Sequence, residues 1–340
     1  MKKIILCLTA LAVSLASHAD KDFKEQDITV YNKTAGIKLG GTLTMPAQMA
    51  PKAAVVLASG SGAQNRDEEV LGHRPFKRIA EFLSRNGYAV LRMDDRGVGT
   101  SQGDPGRCTL QDYVTDLSAG IAKLDSCFSG TLPKGIIGHS EGGVAAVIAA
   151  NRDSSCRFIV TLGTPAWSGD SIVMSQSRAM SVAATGRWDG ENLQRKLLDL
   201  VKSDMPEIML CQQLYATLSG NLGEMSKHQD IQNRIYEQVA VMAAPSYRSF
   251  IKYNPAQDIS LCQVPWLALN GDKDMQVLPD NLQTIRELNP KVETRLLSGH
   301  NHIFQMCATG SPAEYAGPEE SMTDETLAAI QDFLTRRVPQ

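Results

Sequence analysis

The chain has 340 residues, of which 43% are hydrophobic and 21% are charged. This composition leaves enough apolar surface to bury the core of one large α/β domain or of two smaller domains, and it excludes global disorder. The formal net charge of −3 gives no electrostatic reason to bind nucleic acid, so we expect no nucleic-acid partner.

The N-terminus has the three parts of a secretory signal. Lys2 and Lys3 precede an apolar run at 4–15, and small residues around Ala19 resemble a cleavage site. The run is shorter than the roughly 20 residues that a membrane-spanning helix needs, so we expect no membrane span in the mature chain. We therefore predict that residues 1–19 are a signal peptide and that the protein is exported, either periplasmic or secreted.

Short apolar runs then alternate with segments of helical periodicity. Strands are predicted at 28–31, 37–44, 53–58, 89–93, 135–138, 158–162, 266–269 and 292–297. Helices are predicted at 76–85, 110–124 and 141–150. The alternation indicates βαβ units, and therefore an α/β fold with a mostly parallel twisted sheet and helices on both faces.

One long interval breaks this alternation. Between residues 166 and 263 the patterns are helical, as at 193–201 and 231–242, and no buried strand is evident. About a hundred residues are too many for a plain loop. We therefore predict a helical lid at 166–263, inserted into a core formed by 20–165 and 264–340. An independent helical domain is the alternative.

The sequence Gly138-His139-Ser140-Glu141-Gly142 has the GxSxG spacing of a nucleophile elbow. It follows a predicted strand and precedes a predicted helix, which is the context that this turn requires. Glycines on both sides permit a tight turn that exposes the serine hydroxyl. We predict Ser140 as a nucleophile, and the structural alternative is Gly-Ser punctuation at a helix start.

A serine hydroxyl needs a base to remove its proton. In this architecture the order along the chain is Ser, then Asp or Glu, then His, and only His300 and His302 satisfy that order. The acid should follow the strand at 266–269, where Asp272 and Asp274 are both available. Residue type and order leave both choices open.

Further motifs accompany the elbow, namely NRDE at 65–68, GHRPF at 72–76, DDRG at 94–97, GDKDMQV at 271–277 and NHIFQ at 301–305. With them, the chain resembles a group of bacterial carboxylesterases in the α/β-hydrolase superfamily. The resemblance extends over about residues 28–335 and is weakest across the helical insertion. It implies an α/β-hydrolase fold and a small-molecule ester substrate.

The resemblance also selects between the open alternatives. The acid of the related enzymes is the second Asp of a Gly-x-x-Asp-x-x-Val turn, which falls on Asp274. Their base is the histidine of an Asn-His-x-Phe-Gln segment, which falls on His302. The two acidic residues of the motif at 94–97 are expected to form structural ion pairs rather than a metal site, because no histidine ligand lies nearby.

Two backbone donors are expected to hold the oxyanion that forms when a serine attacks an acyl carbon. The amide of Glu141 is one, because it follows the nucleophile at a helix N-terminus. The other should come from the loop after the strand at 53–58. The related enzymes often have His-Gly there, whereas this chain has Ser59-Gly60, and we favour the amide of Ser61, with Gly62 as the alternative.

Cleavage of the signal would leave six of the seven cysteines. An even number in an oxidising compartment indicates disulfides. From their positions we hypothesise the pairs Cys127–Cys156, Cys108–Cys307 and Cys211–Cys262. No cysteine stands in an elbow, so none is predicted as a nucleophile.

The sequence therefore predicts an exported serine hydrolase that cleaves carboxylic esters through Ser140, His302 and Asp274 and an acyl-enzyme intermediate. No metal or organic cofactor is expected. The alternatives are a serine exopeptidase, a thioesterase or deacetylase on the same fold, and an inactive binding protein.

Overall fold

The computed structural model describes residues 22–128 and 132–338, so the predicted signal peptide lies outside the described residues. The strands are β1 (Phe23–Asn32), β2 (Ile37–Pro46), β3 (Ala53–Ala58), β4 (Tyr88–Met93), β5 (Lys134–His139), β6 (Cys156–Leu162), β7 (Trp266–Gly271) and β8 (Glu293–Leu297). The first three helices are α1 (Pro75–Arg85), α2 (Leu110–Cys127) and α3 (Glu141–Arg152).

Eight further helices follow β6. They are α4 (Gly169–Thr185), α5 (Glu191–Lys202), α6 (Glu207–Leu222), α7 (Gln229–Ala243), α8 (Pro245–Lys252), α9 (Ala256–Leu261), α10 (Asp280–Leu288) and α11 (Asp324–Arg337). Over the described part of the chain, none of the helices is both long and apolar enough to cross a bilayer.

The strands form one sheet in the order β1-β2-β4-β3-β5-β6-β7-β8. β2 is antiparallel to both of its neighbours, and all pairings from β4 to β8 are parallel. Every residue of β3, β4, β5 and β7 is buried, as is expected of parallel strands with helices on both faces. The predicted α/β-hydrolase fold is therefore confirmed.

The alternation of side chains along the strands divides the core into two layers. In β3, Val56 points to the face covered by α2 and α3, and Val55 points to the face covered by α1 and α11. Because the central strands are parallel, the loops after β3, β5, β7 and β8 all emerge at one edge of the sheet. That edge collects the residues that the sequence singled out for chemistry.

Between β6 and β7 the chain folds into the six helices α4 to α9. Helices α5 to α8 enclose an apolar cluster of their own, which includes Leu198, Leu214 and Val239. The last helix, α9, packs instead against α3 and α10, and its Ile259 belongs to the core layer beneath α3. The cluster stabilises the inserted helices separately from the sheet.

The predicted disulfide pairing is wrong for this structure, in which all six described cysteines are free. Cys127 is exposed at the end of α2, whereas Cys156 is buried at the start of β6. Cys211 lies beside the cluster of the inserted helices, whereas Cys262 lies in the core layer beneath α3. Position along the chain did not indicate these differences in depth and layer.

We predict that Gly135→Ala in β5 destabilises the fold by about 2–3 kcal/mol, because overpacking of a core has costs of this order. An added Cβ would lie 2.3 Å from the ring of Phe158 and 2.5 Å from its carbonyl oxygen. Gly220→Ala on exposed α6 meets no atom within 4 Å and should stabilise by about 0.5–1 kcal/mol. Urea unfolding of both variants tests the contrast, and equal effects would contradict it.

Candidate active site

The turn between β5 and α3 holds Ser140 in a backbone conformation that residues with side chains rarely adopt. Its φ is +52° and its ψ is −123°, and its N–H donates to the carbonyl oxygen of Leu162 at 2.8 Å. An added Cβ at Gly138 would lie 2.4 Å from the carbonyl oxygen of Gly142. The flanking glycines are therefore required by the tightness of the turn, and local strain of this kind is typical of functional sites.

The start of α3 approaches the end of β3 closely. An added Cβ at Gly142 would lie 2.2 Å from the carbonyl oxygen of Ala58. Glu141 is the first residue of α3, and the first N–H groups of a helix have no partner within the helix. The amide of Glu141 is therefore placed near the loop after β3, where Ser61 donates from its hydroxyl to the Glu141 carboxyl at 2.7 Å.

His302 and Asp274 meet at the carboxyl edge of the sheet. The distance from His302 Nδ1 to Asp274 Oδ2 is 2.7 Å, and both side chains are buried. Asp274 Oδ1 also accepts the backbone N–H groups of Gln276 and Val277 at 2.8 Å. A carboxylate held in this way requires the proton of the imidazole to be on Nδ1, which leaves Nε2 as the basic nitrogen.

The motif at 301–305 forms the turn that presents His302. Asn301 Oδ1 accepts the N–H groups of Ile303 and Gln305, at 3.1 and 2.9 Å. Gln305 Nε2 in turn donates to the carbonyl oxygen of Glu320 at 3.0 Å. Asn and Gln therefore serve to fix the loop on both sides of the histidine.

The two alternative residues have other partners. Asp272 accepts the N–H of Gly299 at 2.6 Å and so braces the loop after β8. His300 is fully buried, and its ring nitrogens contact the carbonyl oxygen of Ser298 at 2.9 Å and the hydroxyl of Thr323 at 2.8 Å. The structure thus brings Asp274 and His302 together and places Asp272 and His300 in the surrounding framework.

Ser140, Glu141, Ser61 and His302 line a common cavity of about 840 Å³. The residues that the inserted segment contributes to its wall are all uncharged: Ile172, Val173, Gln176, Ala240, Val241, Ala244, Ser246, Tyr247 and Phe250. Cys108 also lines the cavity, but burial raises the pKa of its thiol to about 12, so little thiolate is present at neutral pH.

The comparisons with known proteins concern the family and the fold of the chain. Residues 50–302 match the model of a hydrolase family described as serine aminopeptidase, S33. The chain belongs to this family. The earlier resemblance to serine hydrolases of the α/β-hydrolase superfamily is thereby confirmed.

One curated relative is esterase EstD of Thermotoga maritima, which is 31% identical over 159 residues. That match spans 46% of this chain and 37% of the esterase. Among solved structures, the Pyrococcus furiosus esterase Pf2001 has a TM-score of 0.57 at 18% identity, with 94% of this chain and 95% of that chain covered. Est1E from Butyrivibrio proteoclasticus, solved with ferulic acid bound, has a TM-score of 0.55 at 17% identity, with 92% and 100% covered.

The acidic pair after β4 divides into two different environments. Asp94 forms a bidentate ion pair with Arg66, at 2.6 and 3.1 Å, as expected for a structural cluster. Asp95 instead accepts the hydroxyl of Ser59 at 2.8 Å and the N–H of Gln64 at 2.9 Å. Burial raises the pKa of Asp95 to about 7, and these hydrogen bonds only partly offset it.

The contacts of Glu68 with Gly60 and His139 were not predicted from the sequence. Glu68 Oε1 accepts the N–H of Gly60 at 2.5 Å and also contacts His139 Nδ1 at 2.8 Å. Both residues stood inside quoted motifs, but no spacing rule connects positions that are 71 residues apart. The amide of Gly60 is therefore already paired, while Ser61 follows it at the cavity wall.

We predict that Asp95→Asn changes how stability depends on pH. The native pKa near 7 exceeds the ordinary value of 3.8, so the native state holds the proton more tightly than the unfolded state. Wild type should therefore lose stability relative to the variant as pH rises from about 4 to about 7, by up to about 1.4 kcal/mol per pH unit, and no further at higher pH. Urea unfolding of both proteins across this range tests it, and a constant difference would contradict it.

Proposed function

We propose that this protein is a carboxylesterase in which Ser140, His302 and Asp274 form the catalytic triad. The observation that carries the proposal is the shared cavity. Ser140 stands on a strained elbow facing it, and His302, also at the wall, is held by the buried carboxylate of Asp274 at 2.7 Å. A nucleophile, a base and a group that orients the base are the three parts that acyl transfer through serine requires.

In this mechanism Ser140 Oγ attacks the ester carbonyl while His302 Nε2 takes its proton. Asp274 keeps the other proton on Nδ1 and stabilises the imidazolium that forms. The amides of Glu141 and Ser61 donate to the oxyanion. His302 then returns the proton to the leaving alcohol. Water attacks the acyl-enzyme and gives a proton to His302 Nε2, which passes a proton to Ser140 Oγ as the acid product leaves. Each step uses side chains and backbone of this chain alone.

We propose uncharged esters as the substrates and the inserted helices as the lid over them. The wall that the lid contributes is uncharged and mostly apolar, so it can desolvate the apolar part of a small ester. The names of EstD and Pf2001 support ester chemistry. The family description keeps a serine exopeptidase as the second candidate, although a peptide terminus needs a charged anchor that the lid wall does not contribute.

We also propose that the protein is exported. The proposal is supported by the charged, apolar and small-residue parts of 1–19 in the sequence. On export the chain would act in the periplasm or outside the cell. Small-molecule esters that reach that compartment would then be its substrates.

We predict that a fluorophosphonate labels wild type stoichiometrically and does not label Ser140→Ala, because only an activated serine is phosphonylated. Short p-nitrophenyl esters should be hydrolysed at least about 10²-fold more efficiently than aminoacyl amides, measured as kcat/KM. Equal or reversed preference would favour the exopeptidase. Failure of wild type to react with the probe would overturn the enzymatic function.

We further predict that His302→Gln lowers kcat/KM for p-nitrophenyl esters by about 10²–10⁴-fold, which is the contribution expected of a general base. His300→Gln is the matched control, because His300 is a buried histidine of the same loop with structural partners. Its kcat/KM should stay within about threefold of wild type. Loss of turnover in the His300 variant alone would contradict the assignment of the base.

A further inference from the structure

The proposed mechanism does not use the second histidine at the site. His139 immediately precedes the nucleophile, its ring is buried, and the ring centroids of His139 and His302 are 4.6 Å apart. Its Nδ1 lies 2.8 Å from Glu68 Oε1, and its Nε2 lies 3.1 Å from the carbonyl oxygen of His302. Both ring nitrogens are thus engaged with protein atoms.

The hydrogen-bonding properties of these partners indicate the protonation state of the His139 ring. A backbone carbonyl oxygen can only accept a hydrogen bond, and Glu68 Oε1 already accepts the N–H of Gly60 at 2.5 Å. We therefore assign a proton to each ring nitrogen, which makes His139 an imidazolium paired with the Glu68 carboxylate. Burial lowers the pKa of His139, but the charge and hydrogen bond of Glu68, the backbone of His302 and the charge of Asp274 together raise it above its ordinary value.

The contacts join three loops whose relative positions matter for the proposed reaction. Gly60 and the proposed oxyanion donor Ser61 lie in the loop after β3. His139 lies at the elbow after β5, and the proposed base His302 lies in the loop after β8. Glu68 itself has a strained backbone with a φ of +51°, and so does Phe304, two residues after His302, with a φ of +61°. Conformations of this kind persist only where the surroundings hold them.

We propose that the buried Glu68–His139 ion pair is a positioning device that sets the oxyanion loop and the base relative to Ser140. The proposal rests on the proposed function and deepens it. Both residues line the cavity, but the role proposed for them is indirect. His139 acts through the backbone of His302, and Glu68 acts through the amide of Gly60. The pair connects the loop after β3, the elbow after β5 and the loop after β8.

We predict that His139→Gln lowers kcat by about 10–100-fold and leaves KM within about threefold. Gln can donate to only one of the two acceptors at a time, and small misplacements of a catalytic group have effects of this size. The uncharged lid wall is unchanged, so binding should persist. His300→Gln is the control, because it removes another buried histidine whose two ring nitrogens contact protein atoms, and its kcat should stay within about threefold of wild type.

A second variant and a spectroscopic measurement separate positioning from a general effect on folding. Glu68→Gln should also lower kcat, and the double variant should be no worse than His139→Gln alone, because the two residues act as one unit. In wild type at neutral pH, nitrogen-15 NMR of the ring of His139 should show protons on both nitrogens. Glu68→Gln should lose one of them.

The outcomes are distinguishable. If wild type neither reacts with a fluorophosphonate nor hydrolyses esters, the proposed function fails. If wild type does both and His139→Gln has a kcat within threefold of wild type, or if the ring of His139 carries a single proton, the positioning device is overturned. The NMR result decides even where His139→Gln does not fold.

Discussion

The site depends on how closely the N-terminus of α3 approaches the end of β3. Backbone atoms of the two elements are near enough that a methyl group at Gly142 would lie 2.2 Å from the carbonyl oxygen of Ala58. This approach forces the chain at Ser140 into a left-handed conformation and places the free amides of a helix start beside the loop at 59–62. The positions of the proposed nucleophile and of the proposed oxyanion donor at Glu141 therefore follow from a single packing constraint.

Among the described residues around this turn, some buried charges are paired, whereas the carboxyls of Asp95 and Glu141 have no basic partner. Arg66 neutralises Asp94, and in our proposal the His139 imidazolium neutralises Glu68. Asp95 has no basic partner among its hydrogen bonds and receives only a hydroxyl and an amide. Its raised pKa follows directly, because burial disfavours the charged form of a carboxyl that lacks a counter-ion. The loops of the site are thus connected to one another by buried ion pairs and hydrogen bonds between named side chains.

The inserted helices have a different physical role. Their apolar cluster is separate from the two layers that cover the sheet, although Val173, Tyr247 and Phe250, which pack on it, also line the cavity. Toward the cavity they present only uncharged side chains. In our proposal, catalysis at the edge of the sheet and substrate selection by the inserted helices are therefore carried by different parts of the chain.

The sequence by itself determined the fold class and the elbow. The strands from β3 to β7 are short, mostly apolar runs, and such local patterns are recognisable because every residue of these strands except Arg157 is buried. The GxSxG spacing indicated Ser140 because the turn has no room for side chains on either side. Helices such as α4 and α6 were not recognised, since much of their surface is exposed and their periodicity is weak.

Only the tertiary structure decided which residues are partners. Asp272 and Asp274 are two positions apart, yet one braces a loop and the other meets His302, because the turn after β7 directs their side chains differently. The cysteine pairing was wrong because depth and layer are not encoded in spacing. The contact between Glu68 and His139 was invisible for the same reason, since it arises where parallel strands end at a common edge and bring distant loops together.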